Sequence, residues 1–208
     1  MLQKNGNSGK AAEKVGEKSE PTKTEKVIAA AHRVFFRHGF KRVTMGDIAA
    51  EAGMSRPALY LVFRNKEDIY RAVMVSFTEQ NLAAIRAGVG QYASVEEQLR
   101  FAFELWSVQP FKAIMESPEA RDLIECGQGF AKPTMDAAYA AFEKEVAAIL
   151  RPLTEGKAKS AKSAGLKAEE VAHVLAQAIP GFKAGAKDET ELRALFQGVI
   201  SLTLAAYR

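Results

Sequence analysis

Residues 44–66, TMGDIAAEAGMSRPALYLVFRNK, contain the signals of two short helices joined by a tight turn. Thr44 and Asp47 predict the start of the first helix, because the threonine oxygen can accept from a free backbone N–H while the carboxylate faces the positive helix end. Gly53 predicts its end, since glycine readily takes the left-handed conformation. Ser55 and Pro57 predict the start of the second helix. Together these signals indicate a helix-turn-helix.

The stretch resembles the DNA-binding motif of the TetR family of transcriptional regulators. The resemblance is carried by IAAEAGMSRPALYLVFRNKEDI at residues 48–69, with AAHRVFFRHGF at residues 30–40 and the pair Val43-Thr44. Two positions depart from the family pattern. Val62 stands where family members often carry a polar residue that reaches a phosphate, and Gly46 brings no side chain. An αα-hairpin that packs in a core and contacts no nucleic acid is the alternative interpretation.

Hydrophobic periodicity predicts an all-α protein of about nine helices. The resemblance implies a helix-turn-helix DNA-binding domain at residues 22–65 and a regulatory and dimerisation domain at residues 66–208. Residues 1–21 are rich in Lys, Glu, Gly and Ser, and they are expected to form a disordered basic tail. Residues 154–165, TEGKAKSAKSAG, are expected to form a loop.

The composition excludes several classes of protein. The single cysteine, Cys126, excludes an intramolecular disulfide and is expected to be an inert packing residue. The three histidines are scattered and form no metal-ligand spacing, and no nucleophile motif or nucleotide fingerprint occurs. The chain has no run of eighteen apolar residues and no signal-peptide core. We therefore expect a soluble cytoplasmic protein that is not an enzyme and has no cofactor, metal or membrane partner.

The positive charge is concentrated in the first third of the chain. Residues 1–71 contain 14 Lys and Arg against 8 Asp and Glu, whereas the whole chain has a formal net charge of +4. A basic excess beside a helix-turn-helix suits the DNA backbone, because neutralised phosphates release their counterions.

The motif predicts specific contacts with DNA. Arg56 is expected to read a base, because its guanidinium can meet O6 and N7 of guanine in the major groove. Lys66 lies in the first turn of a helix, where a cation is disfavoured, and a DNA phosphate would offset that effect; a simple surface lysine is the alternative. The expected phosphate contacts are Thr44, Ser55, Tyr60 and Lys66, and Pro57 and Ala58 are expected to pack on a thymine methyl group.

The middle helices are rich in aromatic and Met side chains, which leave irregular gaps suited to a small, largely apolar effector. Ordinary core packing explains the same residues. His173 and Gln177, one turn apart, are further candidates, although a core histidine would look the same. The candidate ligand contacts are Phe103, Trp106, Phe111, Met115, Phe130, Met135, Tyr139, Phe142, His173 and Gln177.

The last two helices are apolar over a broad part of their surface, so a partner subunit could cover one side. The resemblance agrees, since similar helices build the dimer of TetR-like regulators; a position inside the protein's own core is the alternative. The candidate interface residues are Val171, Val174, Leu175, Ile179, Phe182, Leu192, Leu195, Phe196, Val199, Leu202 and Ala206.

The resemblance implies a homodimeric repressor that a small molecule releases from a palindromic double-stranded DNA operator. Two other classes stay open at this point. An architectural DNA-binding protein would share the basic first third but tolerate any sequence, and a helical interaction module would bind no DNA.

Overall fold

The computed structural model describes residues 20–155 and 166–207. The predicted disorder of the tail and most of the predicted loop at residues 154–165 fall outside these described ranges.

The described residues are helical and contain no strand. Two of the helices, α5 and α6, are joined by a π-helical segment, Glu104–Val108, into one continuous rod. Counted in this way, the described residues form nine helical rods, so the predicted fold class is confirmed. The ten α-helices are α1 Lys23–His38, α2 Met45–Glu51, α3 Arg56–Tyr60, α4 Lys66–Gly88, α5 Val95–Phe103, α6 Gln109–Met115, α7 Asp122–Gln128, α8 Lys132–Glu155, α9 Ala168–Gly185 and α10 Glu189–Ala205.

The helix starts agree with the capping signals in the sequence. At the starts of five helices, a short polar side chain accepts from a backbone N–H three residues later. In three cases the carboxylate of that later residue also accepts a hydrogen bond from the backbone N–H of the cap residue, which completes a capping box. The caps are Thr22 for α1, Thr44 for α2, Ser55 for α3, Asn65 for α4 and Ser94 for α5.

The buried apolar side chains form two clusters, and α4 contributes to both. The first cluster contains the buried side chains of α1–α3, the first half of α4 and the region around α7. The second contains the second half of α4 with α5, α6, α8, α9 and α10. Packing is therefore continuous across residue 65, the predicted domain boundary.

The turn between α1 and α2 is held against α7. The carboxylate of Asp122 accepts from the backbone N–H groups of Phe40 and Lys41, each at 2.8 Å. The Lys41 ammonium also lies 2.7 Å from a carboxylate oxygen of Glu125. Nearby, the hydroxyl of Tyr70 on α4 donates to the carbonyl of Leu123 at 2.7 Å. These contacts fix the end of α1 to α7.

Burial corrects part of the predicted dimer interface. Five of the predicted residues lie in the subunit's own core, with at most 8% of their surface exposed: Val171, Leu175, Ile179, Leu192 and Phe196. The prediction that these side chains meet a partner is wrong, because α8, α5 and the π-helical segment already cover that side of α9 and α10. Phe182, Leu195 and Val199 are half-buried, whereas Val174, Leu202 and Ala206 are exposed.

Gly39 ends α1 in a conformation that other residues rarely adopt. Its φ is 75° and its ψ is 160°, a region that is essentially restricted to glycine. A Cβ atom at this position would overlap the carbonyl oxygen of Glu119. Gly53, at the end of the helix-turn, has a φ of 67°, but a Cβ atom there would meet nothing within 4 Å.

We expect Gly39→Ala to lower the free energy of unfolding by about 2–3 kcal/mol, because backbone strain and a steric clash combine. Gly53→Ala is the matched control, and strain alone should cost it about 1 kcal/mol. Urea denaturation at equal protein concentration measures both changes. Equal losses in the two variants would contradict a close contact between Gly39 and the Glu119 carbonyl.

Candidate nucleic-acid interface

Helix α3 presents a polar and aromatic face to solvent. Its N-cap, Ser55, accepts from the backbone N–H of Ala58 at 3.3 Å, and this bond leaves the hydroxyl proton of Ser55 available. Leu59 is completely buried and anchors the helix in the core, while Arg56 and Pro57 are exposed. The geometry is that of a short helix that can enter a groove with its first turn.

Arg56 and Tyr60 are paired on the exposed face of α3. A guanidinium nitrogen of Arg56 lies 3.3 Å from the Tyr60 hydroxyl oxygen, and its Cζ lies 5.7 Å from the centre of the ring. Tyr60 itself is 45% exposed. The tyrosine therefore restricts the position of the guanidinium before any ligand binds, which lowers the entropy that a base contact would cost.

The side chain of Thr44 is already hydrogen-bonded, because Thr44 is the N-cap residue of α2. Its hydroxyl donates to a carboxylate oxygen of Asp47 at 2.8 Å, and its oxygen accepts from the Asp47 N–H at 3.2 Å. The N–H and hydroxyl of Thr44 lower the pKa of Asp47, so this carboxylate is ionised at neutral pH. A phosphate contact by the Thr44 hydroxyl would have to replace its bond to Asp47.

Lys66 contacts the protein's own backbone. Its Nζ donates to the carbonyl oxygens of Phe40 and Val43, both at 2.7 Å, and lies 4.3 Å from the centre of the Phe40 ring. The alternative of a simple surface lysine is therefore wrong, since these carbonyls follow α1 and supply the negative partners that the helix start lacks. The predicted phosphate contact stays a prediction, and it would compete with these bonds.

Sequence reasoning missed Leu61, which directly follows α3 and is 90% exposed. A large apolar side chain beside Tyr60 enlarges the surface that could pack on sugar or methyl groups of DNA. The signal was present in the spacing, because Leu59 and Phe63 lie on the inward face and Leu61 falls between them. Arg42 and Arg64 are also exposed near the motif.

The residues predicted to bind an effector do not form one site. Phe103, Trp106, Phe111 and Phe142 are buried in the second core cluster, where the rings of Trp106 and Phe142 stack at 4.6 Å. Phe130 packs with the first cluster, against the rings of Phe40 and Tyr70. Tyr139 contacts the Trp106 ring edge, Met135 approaches Gly127, and Met115 is exposed.

His173 and Gln177 are both exposed on α9, so neither faces the interior of the bundle as predicted. The Nδ1 atom of His173 lies 3.0 Å from a carboxylate oxygen of Glu143 on α8. Cys126 is buried, and burial raises its pKa to about 11. Its thiol is thus protonated at neutral pH, which agrees with a packing role.

Among the described residues, no three His, Cys, Asp or Glu side chains come together in a group that could hold a metal ion. No helix in the described ranges is long and apolar enough to cross a membrane.

Comparison with known proteins identifies the amino-terminal domain. Residues 27–73 match the family model of bacterial regulatory proteins of the tetR family. The HTH-type transcriptional regulator TtgR of Pseudomonas putida is 37% identical over 71 residues, which are 34% of this chain and 33% of that protein. The match thus spans about a third of this curated relative.

Similarity of fold extends over most of the chain. SmeT, the repressor of the Stenotrophomonas maltophilia multidrug efflux pump SmeDEF, has a TM-score of 0.61 at 23% identity, covering 91% of this chain and 92% of SmeT. FadR from Bacillus subtilis, solved in complex with stearoyl-CoA, has a TM-score of 0.60 at 20% identity, covering 87% of this chain and 97% of FadR. Residues 27–73 thus carry the amino-terminal domain of the tetR family of bacterial regulatory proteins, and the similarity of fold continues over most of the chain.

Proposed function

We propose that the protein is a homodimeric transcriptional repressor that binds a palindromic DNA operator through α3 and is released by a small molecule. The observation that carries this proposal is the exposed face of α3, where Arg56 and Tyr60 are paired and Leu59 fixes the helix to the core. The family of the amino-terminal domain supports DNA binding.

The exposed sides of α9 and α10 support a dimer. Val174 is 64% exposed and Leu202 is 74% exposed, which is unusual for two large apolar side chains on adjacent helices. Gly181 and Gly198 lie on the same faces, and Cβ atoms built there would meet nothing within 4 Å. A second copy of these two helices would cover the surface in an isologous contact. Two recognition helices could then enter successive major grooves, about 34–36 Å apart.

An effector could act through α4, because this helix packs in both core clusters. Ile69 and Val73 belong to the cluster around the helix-turn-helix, and Leu82 and Ile85 belong to the regulatory cluster. A ligand that shifts the second half of α4 would also move the recognition unit. A coupling of about 1–3 kcal/mol would weaken operator binding roughly 5- to 150-fold, and DNA would weaken ligand binding equally.

Selection of binding sites from random DNA duplexes tests the proposal against the other two classes. A dimeric repressor should recover a palindromic motif. Recovery without a motif would indicate an architectural DNA-binding protein, and no recovery would indicate an interaction module.

For Arg56→Ala we expect a loss of operator affinity of about 1–3 kcal/mol and a relaxed preference at one base position in each half-site, because a bidentate base contact is removed. Arg42→Ala is the matched control, since Arg42 is an exposed arginine outside α3. The Arg42→Ala variant should bind all DNA sequences more weakly, by the same factor. Gel-shift titrations with the operator and with single-base variants measure the preference, and an unchanged preference in Arg56→Ala would remove this residue from base readout.

For Lys66→Met we expect the free energy of unfolding to fall by about 1–3 kcal/mol, because carbonyl oxygens of the turn after α1 lose a charged donor while the apolar stem is retained. Thermal and urea denaturation measure this effect. The salt dependence of operator binding then separates the two roles of Lys66. If the slope of log affinity against log salt concentration falls by about one while the free energy of unfolding is unchanged, the ammonium contacts a phosphate rather than the turn.

For Leu202→Glu combined with Val174→Glu we expect a folded monomer with strongly reduced operator affinity, because two charges would be buried between the subunits. Both side chains are exposed in the single subunit, so folding should be little affected. Ile124→Glu is the matched control, since Ile124 is 46% exposed on α7. Sedimentation at micromolar concentration is the measurement, and a double variant that remains dimeric would place the interface elsewhere.

A further inference from the structure

A groove of about 570 Å³ separates the helix-turn-helix domain from the regulatory helices. We call it the joint groove, and it lies between α1, α4 and the α5–α6 rod. Its volume falls within the range of roughly 300–1,000 Å³ that small-molecule sites occupy. Its lining includes Arg33, Phe36 and Arg37 of α1, Phe77 and Asn81 of α4, and Ala113 of α6.

The floor of the joint groove is apolar and aromatic. The ring centres of His32 and Phe36 are 4.8 Å apart, and the ring of Phe77 stacks on His32 at 6.5 Å. Burial and the neighbouring Arg33 lower the pKa of His32, so its ring is uncharged at neutral pH. Leu105 and Pro110 complete the floor from the opposite side. Such a surface suits a flexible hydrocarbon chain.

One buried polar group in the wall of the joint groove, that of Asn81, lacks a partner. The amide nitrogen of Asn81 is buried and has no hydrogen-bond acceptor. A buried donor without an acceptor is unfavourable, so a ligand oxygen that reached this nitrogen would be stabilised. The π-helical segment Glu104–Val108 borders the groove through Leu105, and such segments often occur at functional sites.

Positive charge lies at the α1 side of the joint groove. Arg33 and Arg37 are one turn apart, and both guanidinium groups approach a single carboxylate, that of Glu51, at 2.6 Å and 3.7 Å. Arg33 lowers the pKa of Glu51, which keeps this carboxylate ionised. Two arginines thus share one acid, and a second carboxylate could bind beside Glu51 or replace it.

From these observations we infer that the joint groove binds an amphipathic carboxylate, with its hydrocarbon chain over Phe36 and Phe77 and its acidic group at Arg33 and Arg37. The effect of this ligand on operator binding rests on the proposed function, whereas binding of the ligand in the groove does not. Glu51 ends α2, the first helix of the helix-turn-helix. A ligand carboxylate that takes the place of Glu51 would remove the two ion pairs that link α1 to the end of α2.

A second groove of about 550 Å³, between α5 and α10, suits such a ligand less well. One of its arginines already has an acidic partner within the groove, since Arg193 lies 2.8 Å from Glu104, and its other arginine, Arg100, lies 4.0 Å from Glu96. The aromatic side chains predicted to bind an effector are packed against one another, so they offer less room than the joint groove.

Isothermal titration calorimetry with decanoate, below its micelle-forming concentration, tests the inference directly. Decanol has the same chain without the charge, and we expect it to bind about tenfold more weakly or worse, because charge-assisted hydrogen bonds are lost. Decanoyl-CoA lacks a free carboxylate and should bind no better than decanol. If it binds more tightly than decanoate, the assignment of a free acid is overturned.

Variants then locate the site. Arg33→Gln combined with Arg37→Gln should abolish the advantage of decanoate over decanol, and Glu51→Gln should strengthen decanoate binding by removing a competitor. Ala113→Phe should weaken both ligands by filling the groove, which keeps the test decisive if the arginine double variant does not fold. Arg86→Gln is the matched control, because Arg86 is an exposed arginine on α4 that pairs with Glu145 outside the groove. Unchanged affinities in both groove variants would overturn the inference.

Titration with DNA separates this inference from the proposed function. If both hold, decanoate should weaken operator binding by the wild type and not by Ala113→Phe. Decanoate binding in the groove without any duplex binding would contradict only the proposed function. Operator binding without decanoate binding would contradict only the inference.

Discussion

The fixed turn between α1 and α2 is the constraint on which the position of the helix-turn-helix depends. Backbone groups in an irregular turn need partners, and here they receive them from two other helices. The Asp122 carboxylate at the start of α7 accepts from the N–H groups of Phe40 and Lys41. The Lys66 ammonium at the start of α4 donates to the carbonyl oxygens of Phe40 and Val43. Gly39 allows α7 to approach closely enough for these bonds.

This arrangement joins α7 to the core of the helix-turn-helix. The first core cluster contains Leu123 and Cys126 of α7 together with Phe35 of α1, so the recognition unit cannot move without repacking them. Close-packed interiors transmit small displacements because they have few alternative packings. The joint groove lies on the other side of α1, against α6 and the middle of α4. Helix α1 is thus held by α7 on one side and borders a ligand-sized space on the other.

Helix α3 itself has little packing of its own. It is five residues long, and Leu59 is its one buried side chain. Its orientation therefore comes from α2 and from the turn, rather than from an extensive interface. This explains how a change at Glu51, the last residue of α2, could affect a helix whose own contacts remain intact.

The sequence by itself determined the features that depend on bonds between near neighbours. The capping pairs Thr22–Glu25, Thr44–Asp47 and Ser94–Glu97 are three residues apart, so the residue types alone specify the bonds, the helix starts and the recognisable motif. The start of α3 at the Ser55 cap, with Pro57 in its first turn, followed from the residue types in the same way.

Only the tertiary structure decided which apolar and charged side chains meet over long separations in the chain. Helical periodicity could not tell that Leu175 and Phe196 face the subunit's own core while Val174 and Leu202 remain exposed, because all four lie on broad apolar surfaces. It also could not show that Lys66 meets carbonyls 23 and 26 residues earlier in the chain. The joint groove combines residues from α1, α4 and α6, and its shape exists only once these helices have packed.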